Sequence, residues 1–275
     1  MQVKFKINKK IIIAIIVFIL LFIFFYYQNK HIVTSNYIYE SAKVGTDLDG
    51  YRIVCISDLH NASFGKNNKK LLKDIKDCSP DIIVITGDLV DSNHTNIERA
   101  LDFAEQAANI APVYYVTGNH EYWLDKTDYE ELMAGLSDIG VIILNDSIVR
   151  IDKGNSSFML AGLDDNSLNN GVLKDLVKDS NDLVVVLAHE PQYITNYANS
   201  NVDLVLSGHA HGGQFKIPFA GGVYAPDQGF FPQYVSGKHI RDNTELIISR
   251  GLGNSVIPIR LFNYPEIVVV ELKRP

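Results

Sequence analysis

Residues 203–213 read Asp-Leu-Val-Leu-Ser-Gly-His-Ala-His-Gly-Gly. Three branched apolar residues run into a serine and a glycine, and two histidines follow with one residue between them. A strand that is apolar at every position is buried on both faces, as in a sheet covered by helices. In open α/β sheets, ligands bind beyond the carboxyl ends of such strands. His209 and His211 stand at that place, so this stretch predicts both a sheet and a site at its edge.

Working outward, the same arrangement recurs four times. Asp58-Leu59-His60 follows the run 51–57, and Gly87-Asp88 follows Ile82–Thr86. Gly118-Asn119-His120-Glu121 follows 113–117, and His189 follows 183–188. Of the 8 histidines, His60, His120, His189, His209 and His211 fall in these five segments. Helical spacing fills the intervals. The run 66–77 places Leu71, Leu72 and Ile75 on one face and stops at Ser79-Pro80. The run 97–109 spaces Ile97, Ala100, Leu101, Ala104 and Ala108, and 127–139 closes at Gly140. Further helices are predicted over 168–178 and 191–199. Short strands are predicted at 141–144, 147–151, 157–161, 246–249 and 267–272. Residues 212–240 are rich in Gly, Pro and aromatics and read as a long loop or hairpin. Alternating strands and helices predict an α/β fold, with the extra hairpin strands making a mixed sheet or a second one.

The chain has 275 residues, 47% hydrophobic and 21% charged, a composition ordinary for a globular protein. One large domain over 51–275 is expected, because the motif segments span most of it. Residues 11–25 are uninterrupted apolar, preceded by a basic segment, 1–10, with four lysines and followed by Tyr26 and Tyr27. Residues 11–27 read as a transmembrane anchor, with snorkelling lysines and an interfacial tyrosine pair. Residues 28–50 read as a tether and a lead-in strand. The basic flank places residues 1–10 in the cytoplasm and the body outside, in a single-pass cell-membrane protein. The rival is a signal peptide cleaved near Val33-Thr34-Ser35, which would release a secreted body. Beyond residue 30 the net charge is -12, a poor match to a nucleic-acid partner. Cys55 lies in an apolar run and reads as a buried small hydrophobe, and two cysteines make no disulfide framework.

The chemistry of the five segments is that of metal ligation. In extended backbone, residues i and i+2 project to one side, so Asp58 with His60, and His209 with His211, could each face one cluster. Carboxylate, imidazole and amide together suit Mn2+, Fe or Zn2+ better than Ca2+, and the absence of cysteine argues against a structural zinc site. Two such ions about 3.5–4 Å apart clamp both oxygens of an in-line displacement at phosphorus. One carboxylate must be shared between them, and Asp88 is the candidate. Glycines flanking the segments would let the backbone turn sharply.

Taken in order, D-x-H at 58–60, GD at 87–88, GNHE at 118–121, His189 and GHAH at 208–211 resemble the calcineurin-like metallophosphoesterase superfamily, over residues 51–272. The resemblance implies a four-layer α/β/β/α sandwich holding two divalent metal ions. It implies one metal on Asp58, His60, Asp88 and His211, and a second on Asp88, Asn119, His189 and His209. It implies that His120 binds no metal but protonates the leaving oxygen or stabilises its charge, while a bridging hydroxide attacks phosphorus in line. GNHEYW at 118–123 and GHAHGGQ at 208–214 are similar to a membrane-associated phosphodiesterase branch, akin to UDP-2,3-diacylglucosamine pyrophosphatase-type enzymes. The implied function is metal-dependent hydrolysis of phosphate esters, as a phosphodiesterase. A phosphomonoesterase or nucleotidase, or a non-catalytic surface binding protein on the same fold, are the alternatives.

Other residues divide less sharply. Glu121 orients a ligand or is a solvated loop acid. Asp91 reads as a helix-start or supporting group, His94 as surface, and Asp164-Asp165 as a turn. Arg250 and Arg260 read as salt-bridged surface arginines rather than phosphate contacts. His31 and His239 receive no role. The aromatic loop 214–234 is either packed by its own side chains or forms an apolar rim for a lipid-linked substrate or the bilayer. Nothing in the sequence assigns the natural ester, the metal or an oligomeric state.

Overall fold

The computed structural model describes residues 8–178, 180–217, 219, 221–255 and 258–275. Lys4 and Lys6 of the basic segment, and Pro218 and Ala220 of the aromatic loop, lie outside the described residues. Twelve strands form two six-stranded sheets. The first contains β1 (Val33–Glu40), β2 (Arg52–Ile56), β3 (Ile82–Thr86), β4 (Val113–Val116), β5 (Ile142–Ile143) and β12 (Glu266–Lys273), in the order β1-β12-β2-β3-β4-β5. The second contains β6 (Ser147–Lys153), β7 (Ser156–Gly162), β8 (Val184–Leu187), β9 (Leu204–Ser207), β10 (Gly237–Arg241) and β11 (Thr244–Ile248), in the order β10-β11-β9-β8-β7-β6. Strands β2 to β5 run parallel, as do β7, β8, β9 and β11, while β12 runs antiparallel to β2.

Strand alternation explains the layering. Along β2, Val54 and Ile56 face the helices α2 (Lys69–Asp77), α3 (Ile97–Ala108) and α5 (Lys126–Ile139); the short α4 (Asn119–Tyr122) precedes α5 in the chain. Ile53 and Cys55 face the other way, against Val185, Leu204 and Leu206 of the second sheet. The outer face of the second sheet packs on α6 (Val172–Val177) and α7 (Ile194–Asn199) through Leu173, Val177, Ile194 and Tyr197. Helix, sheet, sheet, helix is the four-layer α/β/β/α order. Cys55 is buried and both cysteines are free.

Several boundaries differ from the sequence reading. The run 66–77 is not one helix: Asn67 and Asn68 are left-handed, and a 3-10 turn precedes α2. The segment 212–240 is not only loop. It contains two short hairpins, Lys216–Ile217 with Gly221–Gly222 and Tyr224–Ala225 with Gly229–Phe230, and then β10. The polar, glycine-led sequence GKHIR hides that strand because it lies at a sheet edge, with one side in water. Residues 33–40 form an edge strand paired along their length with β12.

The N-terminal helix α1 (Lys9–Lys30) has 22 residues, about 33 Å at 1.5 Å per residue. Its apolar side chains are exposed all round, and it is long and apolar enough to cross a membrane. It meets the body at its C-terminal end, where Gln28 is buried and the Phe24 ring reaches Phe262.

Candidate active site

All five motif segments leave the carboxyl ends of central strands. β2, β3 and β4 deliver Asp58, Asp88 and Asn119 from one sheet; β8 and β9 deliver His189, His209 and His211 from the other. Two contacts pin the sheets together there. Asp58 accepts the His209 N–H at 3.0 Å, and His189 Nδ1 lies 2.7 Å from the Thr86 carbonyl oxygen. The close approach requires glycine at 208. A Cβ there would lie 1.7 Å from Ser57 Oγ and 2.4 Å from Asp58 Oδ2.

The ligand-type residues do not converge by extended geometry. Asp58, His60, Asp88, His209 and His211 all have left-handed φ, between 46° and 63°. Each such residue costs roughly 1–2 kcal/mol, strain that the surrounding structure must hold. The loops after β2 and β3 hold it by pairing: Asp58, His60 and Asn61 N–H groups donate to the carbonyls of Gly87, Asp88 and Leu89. His209 and His211 consequently turn to different partners rather than to one.

Two overlapping sets result. Asp58, His60, Asp88 and His211 bring one ligand atom each within 4.8 Å of one another, and Asp88, His189 and His209 do the same. Asn119 Oδ1 completes the second set, 3.0 Å from His189 Nε2 and 2.9 Å from His209 Nδ1. Asp88 Oδ2 belongs to both, 3.5 Å from His60 Nε2 and 3.3 Å from His189 Nε2. Burial alone would raise the Asp88 carboxyl, but the imidazoles of His189, His60 and His120 outweigh it and hold it well below the usual range.

The donor set fits divalent cations on its own chemistry. His189 uses Nδ1–H on the Thr86 carbonyl, so Nε2 is the nitrogen turned inward for a cation or a proton. His209 uses Nε2–H on Asp227 Oδ2 at 3.0 Å, so Nδ1 is the nitrogen turned inward. Asn119 Oδ1, His189 Nε2 and His209 Nδ1 converge on one point. Against burial, which lowers it, the Asp88 carboxylate holds His189 well above its ordinary pKa, so a proton occupies the place that a cation would take. His60 is arranged likewise: Nδ1 bonds the Val90 carbonyl at 3.2 Å and Nε2 faces inward. His211 is held well below its ordinary pKa, first by burial and then by the charges of His60 and Arg260, so it stays a neutral donor.

His120 stands beside these sets. Its Nδ1 accepts the Ser92 N–H at 3.1 Å, and its Nε2 lies 3.0 Å from Ser255 Oγ. Asp91 Oδ1 is 3.6 Å from Nδ1, and the ring packs on Trp123 with centroids 4.7 Å apart. Burial pushes the imidazole down to about 4, against the pull of Asp88.

Glu121 is no solvated acid. It is fully buried and accepts N–H bonds from Gly118, Asp88 and Leu89 at 2.7, 2.9 and 2.9 Å, tying the loops after β3 and β4 together. Arg260, expected at the surface, is completely buried. Its guanidinium donates to the carbonyls of Arg250 and Gly253 and to Asn254 Oδ1, and lies 3.5 Å from His211 Nδ1. Arg250 is ion-paired, as expected, with Glu266 at 2.9 Å, but is largely buried. His94 is exposed and pairs with Asp91.

Asp227 escaped the sequence reading, and the burial of Asp165 was not foreseen. Asp227 fixes the His209 ring from a solvent-exposed loop. Groups that orient a metal-ligating histidine tune affinity, so if His209 ligates, Asp227→Ala is expected to weaken cation binding by about 10–100-fold in calorimetric titration. Asp165 sits in the expected turn, with Oδ1 buried and lacking a partner among the described residues. Burial pushes its carboxyl from 3.8 up to about 7, against the pull of His189. A carboxyl raised in the folded state binds its proton longer than in the unfolded chain, so it lowers stability as pH rises from about 4 to about 7. In metal-free chain, Asp165→Asn therefore melts higher than the parent, by a margin small near pH 4 and largest from about pH 7 upward.

Comparison with known proteins agrees with this architecture. The family model for calcineurin-like phosphoesterase matches residues 51–213. The uncharacterized metallophosphoesterase YkuE of Bacillus subtilis is 30% identical over 257 residues, covering 90% of this chain and 88% of its own. The phosphodiesterase YaeI of Escherichia coli is 28% identical over 228 residues, covering 81% and 82%. The crystal structure of TT1561 from Thermus thermophilus shares the fold, with a TM-score of 0.50 at 12% identity over 74% of this chain and 90% of that one. The chain belongs to the calcineurin-like phosphoesterase family and is a metal-dependent hydrolase of phosphate esters.

Proposed function

We propose that the chain is a phosphodiesterase with two divalent cations (Mn2+, Fe or Zn2+), one held by Asp58, His60, Asp88 and His211, the other by Asp88, Asn119, His189 and His209. The observation that carries this reading is the position of Asp88 Oδ2 between His60 and His189. Bound there, the cations would lower the pKa of water and offset charge on the phosphate oxygens. The chain's own residues supply the rest. Glu121 fixes the backbone that carries Asp88. His120 keeps its proton on Nε2, because Nδ1 accepts from Ser92. It therefore acts as a hydrogen-bond donor to the charge growing on the leaving oxygen.

A diester is favoured over a monoester dianion because Arg250 and Arg260 are already committed to protein oxygens. We place the anchor at residues 11–27, the basic segment in the cytoplasm and the body, 51–275, on the extracytoplasmic side. A lipid-linked phosphodiester is then the substrate that this tethered body meets. With Mn2+ and one preparation, turnover of a bis-aryl phosphate exceeds that of the aryl monophosphate. The reverse order would favour a phosphomonoesterase, and a metal-loaded chain inert on both would favour a binding protein.

A further inference from the structure

We propose that the loops following His211 dock in the leaflet that α1 enters, so that the metal cleft opens at the lipid headgroup level. This rests on the reading of α1 as a membrane anchor. The hydrogen bonds between the body and α1 fall in the last turn of the helix. Gln28 Oε1 accepts the Phe262 N–H, and Asn29 Oδ1 accepts from Arg260 N and Asn254 Nδ2. One turn deeper into the apolar helix, the Phe24 ring meets Phe262, with centroids 6.1 Å apart. Phe262, itself half exposed, thus hangs from the body along the part of α1 that lies in lipid.

The loop after the metal-ligand candidates lies alongside it. Phe215 bridges Leu261 in parallel, and Lys216 N–H donates to the Leu261 carbonyl at 3.0 Å. The Lys216–Ile217 hairpin therefore advances in the direction that carries the chain into Phe262, toward the lipid part of α1. Its far end bears Phe219, which is fully exposed. The neighbouring hairpin is fastened by Phe231 N–H on the Val223 carbonyl at 2.9 Å and leaves Phe230 and Phe231 at 74% and 66% exposure. A run of open phenylalanines is a poor surface for water and a good one for acyl chains. The occupant is the bilayer because the patch continues the exposed apolar surface of α1. Its upper margin is marked by Tyr27, stacked on His31 at 4.5 Å with Tyr264 edge-on, the amphipathic ring cluster that suits the headgroup layer. The aromatics are thus not merely a loop packed on itself.

The test uses the full chain in vesicles. Trp123 is the single tryptophan. In a Trp123→Phe background, Phe219→Trp emission is quenched about twofold or more by bromine-labelled acyl chains, as expected for a ring in the bilayer. Ile142→Trp, on β5 at the sheet edge farthest from β1, is not quenched. Equal, negligible quenching at both positions would overturn the proposal. Phe219→Ser with Phe262→Ser lowers turnover of a vesicle-borne phosphodiester about tenfold or more while leaving a soluble bis-aryl phosphate unchanged. Equal loss on both esters would overturn it. Quenching retained in a chain inert on every ester would sink the proposed activity instead and leave the docking face standing.

Discussion

Asp88→Asn abolishes hydrolysis of bis-aryl phosphate, with kcat/KM falling by about 10³ or more. The residue is the one side chain common to both candidate metal sets. Its carboxylate is kept ionised by the surrounding imidazoles despite full burial. The amide has the same shape and its oxygen still accepts the His120 N–H that Asp88 Oδ1 accepts at 2.9 Å. The fold is therefore retained, and what disappears is the negative charge that the two proposed cations would share. At neutral pH the metal-free variant should melt somewhat lower than the parent, because the depressed carboxyl contributes stability above its unfolded pKa, yet it should still unfold in one cooperative transition while activity is lost. A variant that kept most of its rate would contradict the shared role of Asp88.

Arg260→Leu is the largest expected loss of stability. An apolar replacement relieves the cost of burying a charge, which by itself favours the variant. Against this stand the oxygens that the guanidinium serves: the carbonyls of Arg250 and Gly253 and the Asn254 side chain, all left without their donor. Each buried orphan costs about 1–3 kcal/mol, so a net loss of about 3–5 kcal/mol is expected. That corresponds to a melting temperature lower by about 10 °C in a chain of this size. His211, packed beside the guanidinium, should lose order with it, so cation affinity falls as well. An unchanged melting temperature would show that the oxygens find other donors.

The sheet ends were legible because each signal is local. An apolar run such as Ile82–Thr86 followed at once by Gly87-Asp88 reports a buried strand and a polar exit in the same few residues. The grouping of ligands was legible only through the family resemblance. The spacing rule for extended chains assigns both histidines of 209–211 to one side, whereas left-handed backbone at each sends them apart. That backbone is fixed by hydrogen bonds between separate loops, which no window of sequence contains. Arg260 shows the same limit. Its burial depends on Asn29, 231 positions away, whose carboxamide caps the loop that folds over it. Glu121 and Asp227 act on the site through Asp88 and His209; Glu121 stands in a motif that left its burial open, and Asp227 has no local mark that separates it from an ordinary loop acid. β10 was hidden because one edge of a sheet tolerates polar residues.

The most direct measurement is metal stoichiometry. The full chain in detergent is stripped with chelator, dialysed against Mn2+ and analysed beside Asp88→Asn. Two cations per chain in the parent, with loss of at least one in the variant, is the expected result. One cation or none in the parent, or two in both, would contradict a dinuclear centre built around Asp88.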